Sequence, residues 1–265
     1  MRIVALQPSV SITLARLGRL DDLVACTKWC VEVLPELARR PITIVKDSWS
    51  STADEIVSLN PDLVIASVPY RLESLAAILK AGAPVLALAP HCLADIYRDI
   101  RLIGGVVNAA DRAQQIAGEM QSGIESIQRQ VLALNSSEGR PRVYCEEWGK
   151  PLICSQEWVR ELVTAAGGSF VGEPGSTATA AEIADADPDV LMMAWCGAGD
   201  RVPLRRVIEQ RGWQQLRAVR ERRVYCIPDE LLNTPAPTLV EGLKALAAAI
   251  HPSHFDHAAT RRLPD

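Results

Sequence analysis

Short apolar runs alternate with helical patterns along the whole chain. Strand-like runs fall at 2–6, 22–26, 41–45, 62–66 and 84–88, then at 142–146, 189–194 and 223–227. Between them, apolar residues recur at helical spacing over 9–17, 52–59, 71–81, 156–166, 178–186, 203–210 and 237–250. Runs of five or six residues separated by helices of about ten imply βαβ units and a mostly parallel sheet. The fold class is α/β.

One segment breaks the alternation. From Asn108 to Asn135 there is no strand pattern, and Ile116, Met120, Ile124, Ile127, Val131 and Leu134 recur at spacings of 4, 4, 3, 4 and 3. Asn108 can cap its start, Asp111 sits in the first turn, and 136–141 (Ser-Ser-Glu-Gly-Arg-Pro) closes it. About 24 residues at 1.5 Å per residue give a helix of roughly 36 Å. Its length and central position predict a spine joining two lobes, with divisions at 1–108, 109–138 and 139–265. Hinge motion avoids a helix interior, so lobe closure is expected to be small, with Gly118 and Gly123 as the weak points.

The halves echo each other. Ala53-Asp54-Glu55-Ile56 leads to Pro61-Asp62-Leu63-Val64-Ile65, and 127 residues later Ala180-Ala181-Glu182-Ile183 leads to Pro188-Asp189-Val190-Leu191-Met192. Arg2-Ile3-Val4 and Arg142-Val143-Tyr144 open the two halves in the same way. The shared order predicts duplication-like lobes, each Rossmann-like with a parallel-rich sheet, and a ligand cleft between them.

Composition narrows the function classes. The 265 residues are 48% hydrophobic and 23% charged, with a formal charge of -4, which argues for a globular chain and against a nucleic-acid binder with a basic stripe. No apolar run reaches the length of a membrane span. Met1-Arg2 leads straight into the first strand pattern, so the chain is either cytoplasmic or has had a leader removed. Seven scattered cysteines make no even disulfide framework. Cys26 and Cys30 could meet on one helical turn, where an i,i+4 pair is rarely bridged, and Cys145, Cys196 and Cys226 sit in or beside apolar runs, where a free thiol acts as a small hydrophobe.

Enzyme motifs are missing: there is no Gly-x-Ser-x-Gly, no His-Glu-x-x-His and no phosphate loop. Gly197-Ala198-Gly199 lacks the third glycine of a dinucleotide fingerprint, with Val202 in its place. His251, His254 and His257 are three apart, but Pro252 interrupts the turn and a solvated tail is expected. His91-Cys92 follows a strand and could offer an axial ligand to a macrocycle metal. Glu146 and Glu147 are adjacent carboxylates, yet neighbours on a strand face opposite ways. No catalytic residue and no metal site is expected.

The aromatic distribution says more. There are six Trp against four Tyr and two Phe. Trp29, Trp49, Tyr70, Trp148 and Trp195 lie where strand runs end, the edge at which open α/β sheets bind ligands. Indoles there suit a large, flat, partly apolar ligand.

The chain resembles the substrate-binding proteins of iron–siderophore, haem and cobalamin ABC importers. The resemblance is carried by Arg2-Ile3-Val4-Ala5-Leu6-Gln7-Pro8-Ser9, by Glu55 to Ile65, by Gly212-Trp213 and Arg223-Val224-Tyr225, and by Pro235 to Leu243. Glu146-Glu147-Trp148, Pro151, Trp158 to Leu162 and Ala166-Gly167-Gly168 look most like the cobalamin-binding branch. It implies a class III periplasmic binding protein fold with two α/β lobes and one connecting helix. It further implies a non-enzymatic, periplasmic or extracytoplasmic monomer that takes a corrinoid as ligand, with no cofactor of its own, and delivers it to an ABC permease. By position, Trp29, Trp148 and Asp229 match ligand-contacting places, with Trp49 and Tyr70 beside them. Glu73 matches a permease-docking glutamate; its counterpart falls near uncharged Asn233, with Glu230 three residues earlier. The alternatives are a haem binder using Tyr70 or His91, a siderophore binder using Lys28, Lys46 and Arg71, and a cytoplasmic enzyme or regulator reusing the fold.

Overall fold

A computed structural model describes residues 1–134, 139–256 and 260–263, and the chain divides into two compact units. Unit 1 holds Met1–Gly118 and Pro235–Pro237; unit 2 holds Glu119–Thr234 and the residues from Thr238 onward. Ser136, Ser137 and Glu138 of the expected helix stop, and His257, lie outside the described residues.

Unit 1 is a five-stranded, wholly parallel sheet. Its elements are β1 (Ile3–Ala5), α1 (Pro8–Arg16), β2 (Leu23–Thr27), α2 (Lys28–Val33), β3 (Thr43–Val45), α3 (Ala53–Val57), β4 (Leu63–Ser67), α4 (Leu72–Lys80), β5 (Val85–Leu88) and α5 (Leu93–Val106). The strand order is β3-β2-β1-β4-β5. A central parallel strand is covered on both faces and so must be apolar throughout; Ile3, Val4 and Ala5 are accordingly fully buried.

The helix α6 (Ala110–Leu132) follows, 23 residues long. Its buried positions, Ala113, Ile116, Ala117, Met120, Ile124, Ile127 and Val131, form one stripe. The division between the units falls inside it, after Gly118. Asn108 does not cap it. Asn108 takes the left-handed conformation (φ 55°) just past α5, and the Ala109 amide donates to the Gly104 carbonyl at 2.8 Å, a Schellman-type closure of the preceding helix. A methyl group on Gly104 would lie 2.2 Å from the Ala113 methyl, so this corner needs a residue without a side chain.

Unit 2 contains β6 (Arg142–Gly149), β7 (Leu152–Cys154), α7 (Glu157–Ala165), β8 (Ser169–Phe170), β9 (Thr177–Ala178), α8 (Ala180–Ala186), β10 (Val190–Met193), α9 (Leu204–Arg211), α10 (Arg217–Arg220), β11 (Val224–Cys226), α11 (Asp229–Leu232), α12 (Leu239–Ile250) and β12 (Arg261–Arg262). Its sheet is mixed, not simply parallel. β6, β10 and β11 run parallel, as does β8 beside β6, while β7, β9 and β12 pair antiparallel.

The internal echo is a shared clasp. The Arg2 amide donates to the Asp62 carboxylate at 2.7 Å, and the Asp62 amide returns a bond to the Arg2 carbonyl at 2.8 Å. Arg142 and Asp189 repeat both bonds at 2.7 and 2.8 Å. Upstream, Thr52 and Thr179 each cap a helix by accepting from the amide three residues on, Glu55 and Glu182. Among the described residues no helix is long and apolar enough to cross a membrane.

Two glycine substitutions test this packing. A Cβ on Gly242 of α12 would meet the Leu231 carbonyl oxygen at 1.8 Å, whereas one on Gly118 meets nothing within 4 Å. Gly242→Ala should therefore destabilise the protein by several kcal/mol, on the scale of severe overpacking. Gly118→Ala should stabilise it by about 0.5–1 kcal/mol through helix propensity alone. Urea unfolding of both variants checks the pair, and a neutral Gly242→Ala would contradict the α11–α12 contact.

Candidate functional site

In unit 1, three of the expected aromatics follow successive parallel strands. Trp29 lies in the first turn of α2, half-buried, with the Lys28 ammonium 4.3 Å from its ring centroid. Trp49 sits in the turn after β3 with 48% of its surface exposed. Asp47 holds that turn by accepting from the amides of Trp49 and Ser50 at 3.1 and 3.0 Å, an Asx-turn arrangement. Tyr70 follows β4 and packs half-buried against the unit's core.

Two residues that the sequence did not single out tie these loops together. Gln7, buried past β1, accepts from the Ser67 amide at 2.9 Å and donates to the Pro69 carbonyl at 2.9 Å. Ser48 donates to the same carbonyl at 3.0 Å. The turns bearing Trp49 and Tyr70 are thereby fastened to one another. His91 is exposed past β5, and its amide donates to Asp95. Glu73 is exposed in the first turn of α4.

In unit 2, Trp148 sits on the β6–β7 hairpin, 45% exposed, its indole N–H donating to the Lys150 carbonyl at 2.9 Å. The β6–β7 register shifts between Glu146 and Trp148, a bulge that re-aims the strand. Trp195 follows β10 and is half-buried. Its N–H donates to Glu146 Oε1 at 2.7 Å, and its ring lies where a Cβ on Gly149 would come within 2.5 Å. Glu146 is fully buried and receives three further donors: Arg211 Nη1 at 2.7 Å, Arg211 Nη2 at 2.8 Å and the Tyr144 hydroxyl at 2.8 Å. Arg211 also lies 4.8 Å from the centroid of Trp213. Burial and the Glu146 charge push the Tyr144 phenol up, keeping it a donor.

Asp229 anchors the loop after β10. Its Oδ2 accepts from the Gly197 amide at 3.0 Å and its Oδ1 from the Gly199 amide at 3.1 Å, both glycines having positive φ. The Gly197-Ala198-Gly199 run is thus a turn held by a carboxylate, and α9 opens only at Leu204. Glu230 is half-buried, and burial raises its carboxyl pKa, helped by the charges of Asp229 and Asp200. Asn233 is buried, its side-chain amide donating to the Ala194 carbonyl at 2.6 Å.

Glu147, at the bulge itself, has partners different from those of Glu146. It accepts from Gln156 at 2.7 Å and lies 3.9 Å from the Cys196 sulfur. All seven cysteines are free. Among the described residues no three His, Cys, Asp or Glu side chains are grouped to hold a metal ion. Burial pushes the Glu147 carboxyl up to about 7; the charge of Asp229 adds to this, and the Gln156 and Cys196 hydrogen bonds partly offset it.

That shift makes a stability prediction. The folded pKa exceeds the unfolded value of about 4.3, so the native state keeps a proton that the unfolded chain releases between about pH 4.5 and 7. The resulting contribution is present below this window and lost as pH rises through about 7. Glu147→Gln should remove the slope, gaining roughly 1–3 kcal/mol on the parent between pH 5 and pH 8. Urea unfolding at both pH values measures it; a parent–variant difference independent of pH would contradict the burial of this carboxylate.

A profile of the family described as periplasmic binding protein matches residues 3–231. The chain is 26% identical over 264 residues to an uncharacterized ABC transporter substrate-binding lipoprotein of Bacillus subtilis, covering 96% of this chain and 81% of that protein. It is 24% identical over 260 residues to a cobalamin-binding protein of Halobacterium salinarum, covering 94% and 69%. Its fold is similar to that of a periplasmic haem-binding protein from Pseudomonas aeruginosa, with a TM-score of 0.88 at 20% identity, covering 100% of this chain and 98% of that one. It is also similar to the periplasmic vitamin B12-binding protein of Vibrio cholerae, with a TM-score of 0.77 at 19% identity, covering 95% and 97%. Two α/β units, aromatics at the carboxyl ends of parallel strands and a family match across most of its length lead to one conclusion: the chain belongs to the periplasmic binding protein family.

Proposed function

We propose that this protein captures a corrinoid outside the cytoplasm and presents it to an ABC permease. The observation that carries the reading is a pair of indoles, Trp49 and Trp148, left 48% and 45% exposed at the strand-end edge of their respective units. The same chain fully buries Trp158 and Trp213, so it has the means to cover an indole. A large ring left in solvent at a ligand-binding edge supplies apolar, stacking-capable surface. Trp29 and Tyr70 extend that surface in unit 1, while Trp195 and Asp229 shape the edge of unit 2 from behind.

A corrinoid is favoured over haem by the charge of the unit 2 edge. Three carboxyl groups converge there, and burial together with the negative charge of Asp229 raises the carboxyl pKa of both Glu147 and Glu230. Such an edge disfavours a ligand whose rim carries carboxylates and suits one whose rim carries neutral amides. Haem is the second reading, favoured by Tyr70 as a phenol available at the unit 1 edge. For the permease, Glu73 fits a docking role because it is exposed, whereas Glu230 is half-buried and Asn233 is internal. Docking by Glu73 would chiefly steer association and weaken with salt.

Quenching of tryptophan emission by cyanocobalamin, cobinamide, hemin and a ferric siderophore tests the reading. Cyanocobalamin or cobinamide should quench at the lowest concentration. Trp148→Ala should weaken that binding by roughly 1–3 kcal/mol, the scale of a large apolar side chain, or about five- to 150-fold. Tighter quenching by hemin would favour the second reading, and undiminished corrinoid binding by Trp148→Ala would remove Trp148 from the site.

A further inference from the structure

The geometry points to Arg211, Glu146 and Trp195 as positioning residues that hold Trp148 in its ligand-facing place, an inference resting on the ligand reading above. A buried ion pair is a poor way to gain stability, because desolvation of both charges offsets most of their attraction. Glu146 and Arg211 are nevertheless both withdrawn from water, with side-chain exposures of 0% and 9%. The pair also has an unusually complete set of partners. Four donors from three places in the fold end on one carboxylate: Tyr144 from β6, Trp195 from the loop after β10, and two from the last residue of α9. The guanidinium binds in the bidentate geometry that fixes direction as well as distance.

What this network touches next is the Trp148 hairpin. Gly149 lies against the Trp195 ring so closely that no side chain fits, and Arg211 Nη2 reaches the Gly149 carbonyl at 3.3 Å. Beyond the bulge at Glu146–Trp148, the strand is therefore fastened by its pairing with β7 and by this indole-and-guanidinium floor. Trp195 in turn cannot rotate without giving up its bond to Glu146. The chain of contacts runs from Arg211 through Glu146 and Trp195 to Gly149, the residue beside Trp148. Satisfied polar networks of this kind fix one arrangement where an apolar filling would allow several. Glu146 has no surface to offer a ligand and Arg211 very little; their effect on binding is exerted through the hairpin.

A double-mutant cycle separates this role from general structural support. Arg211→Lys keeps the charge but loses the fork, and Trp195→Phe keeps an aromatic floor but loses the N–H. In the parent background each should raise the dissociation constant for cyanocobalamin about tenfold. In the Trp148→Ala background each should change it by less than twofold, because the positioned ring is gone. In the ligand-free protein each should speed amide exchange over 148–152 and leave α12 unchanged. Equal losses of affinity in both backgrounds, faster exchange throughout unit 2, or unchanged exchange in the hairpin would each overturn the proposal. If the parent binds none of the chelates, the ligand reading fails. The exchange measurement then decides the positioning role alone, since it needs no ligand.

Discussion

The Arg–Asp clasp at the start of each sheet sets the register on which the rest of the molecule depends. Parallel strands have a side-chain period of two, so a slip of one residue would turn every side chain to the other face. By exchanging two hydrogen bonds, Arg2 with Asp62 and Arg142 with Asp189 fix where β4 lies against β1 and where β10 lies against β6. The consequences appear at the opposite end of the strands. With Ile3 opposite Leu63, Gln7 arrives beside Ser67 and Pro69; with Val143 opposite Val190, Glu146 arrives opposite Met193, within reach of Trp195.

The two units solve the same problem with different chemistry. Each must hold the loops at its carboxyl edge rigidly enough to display aromatic rings. Unit 1 ties its loops to one another through neutral groups, Gln7 and Ser48, converging on one carbonyl, and leaves its carboxylate, Asp47, at the exposed Trp49 turn. Unit 2 uses charge: Glu146 under the hairpin and Asp229 under the glycine turn. The charged solution is costlier to bury and more directional. It also leaves Glu147 largely desolvated and near the charge of Asp229, and its raised pKa is the physical trace of that arrangement.

Much of the fold was legible because the relevant physics is local. Doubly covered parallel strands must be continuous apolar runs, and β1, β4, β10 and the 143–145 stretch of β6 read that way. The stripe from Ile116 to Val131 announced α6. What stayed hidden has identifiable causes. β8, β9 and β12 are two residues long, too short for any periodicity. α5 carries Gly104 and Gly105 near its end, which lower its apparent helical character, although Leu93, Ile96, Ile100 and Ile103 keep the spacing. Asn108 looked like a start because side chains suited to N-caps also tolerate the left-handed stop of a helix. The aromatics at the edge were legible from position alone. Their supports were not: Glu146 and Arg211 stand 65 residues apart and meet only through the sheet.

We propose that ligand meets the aromatic loops at the carboxyl ends of the parallel strands, a reading that can be checked in each unit by itself. Hydrogen–deuterium exchange with and without cyanocobalamin tests it most directly. Exchange should slow at 47–51 and 68–72 in unit 1 and at 147–152 and 195–199 in unit 2. Protection instead at the amino-end turns, 59–62 and 187–189, with the aromatic loops unchanged, would contradict it.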